Sequence, residues 1–70
     1  MNHQKLRAKL VENGLNAEQL AEMIGVAAST LRNKLAGRNE FTQREISSIA
    51  RFLKISREEI LDIFFDEKVS

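Results

Sequence analysis

Apolar residues recur at spacings of three and four through most of this chain and seldom alternate with polar ones. Leu6 and Leu10 stand four apart in a first segment. Leu20, Ala21 and Ile24 share one side of a second, and Leu31 and Leu35 of a third. Ile46, Ile49, Ala50 and Leu53 make the stripe of a fourth, and Ile60, Ile63 and Phe64 that of a fifth. At these spacings an α-helix returns to the same face. With no proline and no β-rich alternating run, the pattern predicts an all-α fold of five helices over 3–13, 17–24, 28–35, 43–54 and 57–65. Seventy residues make one domain, 1–70, near the small end of independent folding.

The punctuation between the stripes agrees with these bounds. Gly14 falls where the first helix must stop, and Asn16 is a natural N-cap for the second. Gly25 sits where the second helix reverses, with Val26 behind it as an apolar plug. Gly37 ends the third. Thr42-x-x-Glu45 and Ser56-x-x-Glu59 are capping boxes that start the last two helices, and Phe41 should turn inward ahead of Thr42 as a hydrophobic staple. The tail Asp66 to Ser70 is polar and expected to fray. His3 is the only histidine and is expected to face solvent near the terminus. No Cys, Asp or His stands near it at metal-ligand spacing.

The stretch Leu15–Gly37 therefore reads as two short helices around a tight glycine-containing turn. A small residue, Ala21, lets their axes approach. With Leu31 and Leu35 pointing inward, the third helix turns Ser29, Thr30 and Asn33 outward, flanked by Arg32 and Lys34. No acidic residue occurs from Ala27 to Arg38. Ordinary solvated helices mix both signs. Hydroxyls, an amide and cationic groups on one face suit base edges and phosphates, and helix–turn–helix is the arrangement that sets a second helix in a DNA major groove. Arg38 and Asn39, just past that helix, would pass the sugar-phosphate backbone. Gln43 and Arg44 open the fourth helix, where a cation opposes the helix dipole and a nearby phosphate would account for it.

Asn16-Ala17-Glu18-Gln19-Leu20-Ala21, then Gly25-Val26, then Ser29-Thr30-Leu31 and Gly37 resemble the lambda-repressor/Cro (XRE-type) helix-turn-helix family. The run Lys34-Leu35-Ala36-Gly37-Arg38, with Glu40-Phe41-Thr42 and Glu45-Ile46, is similar to the small phage-derived regulators within it. The likeness spans about Leu6 to Phe65. It implies a compact five-helix lambda-repressor-like DNA-binding domain whose partner is double-stranded DNA. It further implies base reading by Ala28, Ser29, Arg32 and Asn33, with phosphates met by Asn16, Ala17, Thr30, Lys34, Arg38, Asn39, Gln43 and Arg44. In the family the start of the second helix abuts a phosphate. This chain departs from the family pattern in having Ala17 where a glutamine is usual, and Ala27 and Ala28 where a polar cap and a long base reader are usual. Those departures shift the work toward Ser29, Arg32, Asn33 and the basic residues.

Charge adds a polarity. Residues 1–51 hold eight Lys or Arg against five Asp or Glu, a net of +3, while 52–70 hold three against five, a net of −2. Together they give the overall +1. The helix-turn-helix lies in the positive part. Lys5, Arg7 and Lys9 are further candidates for phosphate. Without cysteine there is no disulfide framework or thiolate metal site, and neither an apolar run of membrane length nor a signal-peptide pattern is present. The expectation is a cytoplasmic regulator, not an enzyme, with no cofactor, no metal and no small-molecule ligand. In the last helix Leu61 and Phe65 form a second apolar stripe, beyond what one amphipathic helix needs. A homodimer through this helix would match a two-fold operator. A helical protein-interaction module, antitoxin-like or anti-regulatory, that keeps the fold with weak or no DNA binding stays open as the alternative.

Overall fold

The computed structural model describes residues 1–65, and the tail whose fraying was expected lies outside the described residues. Five helices follow one another: α1 (His3–Glu12), α2 (Ala17–Ile24), α3 (Ala28–Leu35), α4 (Gln43–Phe52) and α5 (Arg57–Phe65). There is no strand among the described residues. The domain is all-α, as the periodicity predicts.

Side chains start four of the five helices. Asn2 Oδ1 accepts from the Lys5 amide at 3.1 Å and opens α1. Asn16 opens α2 through a reciprocal box: its Oδ1 accepts from the Gln19 amide at 2.8 Å, while its own amide donates to Gln19 Oε1 at 2.9 Å. Thr42 with Glu45, and Ser56 with Glu59, form the two boxes read from the sequence. Such caps satisfy amides that a helix leaves without partners. Only α3 lacks one, because Ala27 has nothing to offer.

The first four helices end the same way. One residue enters the left-handed region, and the next donates its amide back to the carbonyl five residues earlier. The bonds are Leu15 to Leu10, Val26 to Ala21, Arg38 to Asn33 and Ile55 to Ala50, each 2.9–3.0 Å. Glycine supplies the left-handed residue three times, but Lys54 supplies it after α4, with φ of 54°. Helix α1 closes at Glu12 and α4 at Phe52, within one and two residues of the expected limits of about 13 and 54. No glycine marks the α4 stop.

Each helix gives the core one fully buried aliphatic side chain: Leu6, Leu20, Leu31, Ile49 and Ile63. Burial of this kind stabilises by about 1.5–3 kcal/mol per side chain. Leu10, Ala21, Leu35, Leu53, Ile55 and Phe64 complete the core. Ile55, in the α4–α5 link, lay outside every predicted stripe. Helix α2 packs on both α3 and α4, and α1 packs on α3 and α5. Phe41 turns inward as expected and meets Phe64 edge-on, with ring centroids 5.9 Å apart. Ion pairs Lys5–Asp62 and Lys9–Glu59 tie α1 to α5, and the Asn2 amide donates to the Ile63 carbonyl at 2.6 Å. The result fixes α3 by its inner side and leaves its other side facing out.

Candidate nucleic-acid interface

Helix α3 carries its inward residues as the pattern predicts. Leu31 is wholly buried and Leu35 nearly so, while Ser29 and Arg32 are exposed and Thr30 and Asn33 are half-buried. Ala28, assigned a base by the resemblance, is half-buried against the core and offers only a methyl group. Ala17, at the start of α2, also packs on the core. Of the other residues expected to meet phosphate, Asn16, Arg38, Asn39, Gln43 and Arg44 are exposed. Asn16 commits its side-chain oxygen and its own amide to Gln19, which leaves its Nδ2 group and the following backbone amides to meet an anion there.

Three of the polar side chains of α3 have protein partners. Arg32 is paired with Glu18 in the first turn of α2, each side chain 54% exposed. The guanidinium holds the Glu18 carboxyl below the ordinary glutamate range, assisted by the Glu18 backbone amide. So exposed a pair contributes between about 0 and 1 kcal/mol, and a polyanion can open it. Asn33 Oδ1 accepts from Arg38 Nη1 at 3.0 Å.

Lys34 is different. Its ammonium donates to both oxygens of Glu45, at 2.5 and 2.6 Å, and only 12% of each side chain is exposed. Burial pushes the Glu45 carboxyl up. The Lys34 hydrogen bond, the Thr42 amide and the Lys34 charge together outweigh that, and the net direction is down. The geometry thus gives Lys34 a role that sequence reasoning missed, as the clamp between α3 and the start of α4. A helical wheel could not have found it, because Lys34 bends back to a residue on another helix.

Lys5 and Lys9, candidates for phosphate, are likewise occupied in the α1–α5 pairs. Arg7 instead shares a shallow depression with Arg32, Arg38, Val11 and Leu15 beside the start of α2. His3 is corrected as well. It is half-buried and packs its imidazole against Gly37, where an added Cβ would stand 3.2 Å from His3 Cε1. In α5, Phe65 is 51% exposed but Leu61 is half-buried.

With the geometry given, the comparison with protein families decides the class. A family model described as helix-turn-helix matches residues 6–60, more than half of the chain. The chain belongs to the XRE-type helix-turn-helix family. A comparison with curated proteins found no match, and a comparison with solved structures found none. Membership makes this helix-turn-helix protein a DNA-binding regulator, of a family that is generally non-enzymatic. No helix among the described residues is long and apolar enough to cross a membrane.

Proposed function

We propose that this helix-turn-helix protein is a Cro-like repressor of phage or prophage type that sets α3 in the major groove of a palindromic operator. One observation carries the reading: Leu31 and Leu35 bury one side of α3 while Ser29 and Arg32 stand exposed and Asn33 is half-buried. Ser29, Arg32 and Asn33 read base edges, with Ala28 contributing at most a methyl contact. Asn16, Ala17, Thr30, Arg38, Asn39, Gln43 and Arg44 face phosphates, with the charged contacts at Arg38 and Arg44. Lys34 leaves the phosphate set for the clamp. Repression is steric: an operator-bound dimer excludes polymerase or a rival regulator.

The dimer uses α5, where Phe65 leaves half of its surface uncovered beside Leu61. A two-fold pair spaces its recognition helices by one turn of the duplex, about 34 Å. Phe65→Asp should give a monomer by sedimentation with its helical spectrum unchanged. A wild type already monomeric at high concentration would remove the dimer.

The test of DNA binding is a titration against random duplex DNA at low and moderate salt. Binding should weaken steeply as salt rises, since each neutralised phosphate contributes about 0.9 to the slope of log K against log salt. No binding even at low salt would leave the protein-interaction alternative. That reading is favoured by one observation, the pairing of Arg32 and Lys34 with carboxylates of the protein itself.

A further inference from the structure

We propose that Arg38 is a positioning residue for Asn33, and that by holding Oδ1 it turns the amide into a donor that selects guanine rather than adenine. The inference rests on the reading of Asn33 as a base reader and goes beyond it to the base it prefers.

The local fold places these two residues together twice. At the end of α3, Gly37 takes the left-handed conformation, φ 84°, so the chain folds back on the last turn. The Arg38 amide then donates to the Asn33 carbonyl at 2.9 Å. That backbone bond brings the Arg38 side chain beside its partner, where Nη1 donates to Asn33 Oδ1 at 3.0 Å. The orientation of the amide follows from chemistry. A guanidinium has donors only, so the atom it holds must be the carboxamide oxygen, and the NH2 is the group left to look elsewhere.

The consequence concerns hydrogen-bond patterns in the major groove. Adenine presents a donor at N6 beside its acceptor N7, and an asparagine matches it only when its oxygen and its NH2 are both offered. Guanine presents two acceptors, O6 and N7. An amide whose oxygen is engaged by Arg38 can offer its NH2 to both acceptors of guanine, whereas at adenine only N7 accepts it and the N6 donor beside it loses its acceptor. The cationic guanidinium beside it adds to the preference for an acceptor edge. Arg38 is still able to hold a phosphate, because one of its five N–H groups serves Asn33 and the others remain. One side chain thereby links backbone anchoring to base choice.

Four proteins carried through selection of bound sites from a random duplex pool test this: wild type, Arg38→Met, Arg38→Lys and Asn33→Ala. Circular dichroism checks the fold of each, which an exposed loop arginine does not threaten. Wild type should enrich guanine over adenine at one position of each half-site by about fivefold or more, the low end of what one well-made base contact discriminates. Arg38→Met should move that position toward adenine. Arg38→Lys keeps a donor for Oδ1 and should retain guanine; loss of a phosphate contact alone would lower affinity without exchanging guanine for adenine. Adenine enriched by wild type, or guanine retained by Arg38→Met, overturns the role of Arg38 while leaving Asn33 a reader. If Asn33→Ala alters no position, the base-reading assignment of Asn33 itself has failed. If no variant enriches any site, the DNA reading has failed, and in both cases the inference falls with it.

Discussion

Replacing Lys34 with methionine separates a structural cation from one that meets DNA. The thioether keeps the apolar stem and removes the charge. What remains is a Glu45 carboxylate with 12% of its side chain exposed and one of its three hydrogen bonds, that from the Thr42 amide at 2.8 Å. Breaking a fully buried ion pair by removing one partner costs about 3–5 kcal/mol, while an exposed pair is worth about 0–1. Glu45 keeps a hydrogen bond and some access to water, so the expected loss is about 1–3 kcal/mol. A domain of 70 residues has a total stability of roughly 4–10 kcal/mol. The variant therefore loses a visible share, and its melting temperature should fall by about 4–8 °C per kcal/mol. Urea unfolding followed by far-ultraviolet circular dichroism is the assay, since the chain has no tryptophan or tyrosine to report by fluorescence. Adding Glu45→Gln to Lys34→Met removes the stranded charge and should recover about half of the loss or more, which a double-mutant cycle measures directly. Stability within about 0.3 kcal/mol of wild type, with DNA affinity lowered equally on all sequences, would refute the reasoning. Lys34 would then be the phosphate contact that the sequence suggested.

Three other outcomes are expected. Leu31→Ala removes a wholly buried side chain under α3 and should cost about 2–5 kcal/mol, enough to leave much of the protein unfolded at 37 °C; a thermal melt decides, and a loss under about 1 kcal/mol would mean α3 is seated otherwise. Gly37→Ala forces a left-handed alanine and sets a methyl 3.2 Å from His3 Cε1, so it should cost about 1–2 kcal/mol in urea unfolding, and a neutral result would show the turn to be tolerant. Acid should destabilise the fold through glutamates held below their ordinary range, Glu59 by the Lys9 hydrogen bond and Glu45 by Lys34 and Thr42 against the opposing effect of burial. A carboxyl depressed in the folded state contributes stability that is complete above its unfolded value of about 4.3 and is lost as pH falls through the folded one. Urea midpoints measured from pH 6 down to pH 3 should therefore fall, and Glu45→Gln should flatten part of that fall.

What the residues disclosed in advance was whatever is decided within a few positions of chain. Thr42 with Glu45 and Ser56 with Glu59 announce helix starts because the partners stand three apart and can satisfy each other wherever the chain goes. Gly25 and Gly37 announce stops because few other residues take that backbone conformation at little cost. The stop at Lys54 uses the same hydrogen bond without a glycine to mark it, and there only the end of the Ile46–Leu53 stripe indicates where the helix closes. Asn16 was legible as a cap, but its reciprocal partner Gln19 is an amide where a carboxylate is the more familiar sign. His3 against Gly37, Arg32 with Glu18 and Lys34 with Glu45 join residues 34, 14 and 11 positions apart. Only the packed fold brings them together. Sequence periodicity gave the direction in which α3 points but not the length along which its lysine bends back.

Those long-range pairs change what the cationic face of α3 means. Read alone, Arg32, Lys34, Arg38 and Arg44 are four positive charges along one path for a polyanion. In the fold, Glu45 neutralises Lys34 in a nearly buried pair, and Glu18 neutralises Arg32 in an open one. Cations that touch phosphate supply most of the affinity for DNA of any sequence. Pairing two of them inside the protein lowers that indiscriminate part. The two pairs do not respond alike to DNA. Opening the exposed Arg32–Glu18 pair costs at most about 1 kcal/mol, so a well-placed guanine or phosphate can claim Arg32. Opening Lys34–Glu45 leaves a carboxylate in a poorly solvated place, so Lys34 stays with the protein. On the proposed reading, the affinity that remains then depends on Arg38, Arg44 and on whether the bases present suit Arg32 and Asn33. If that reading holds, a face muted in this way favours an operator over other DNA by binding the other DNA less.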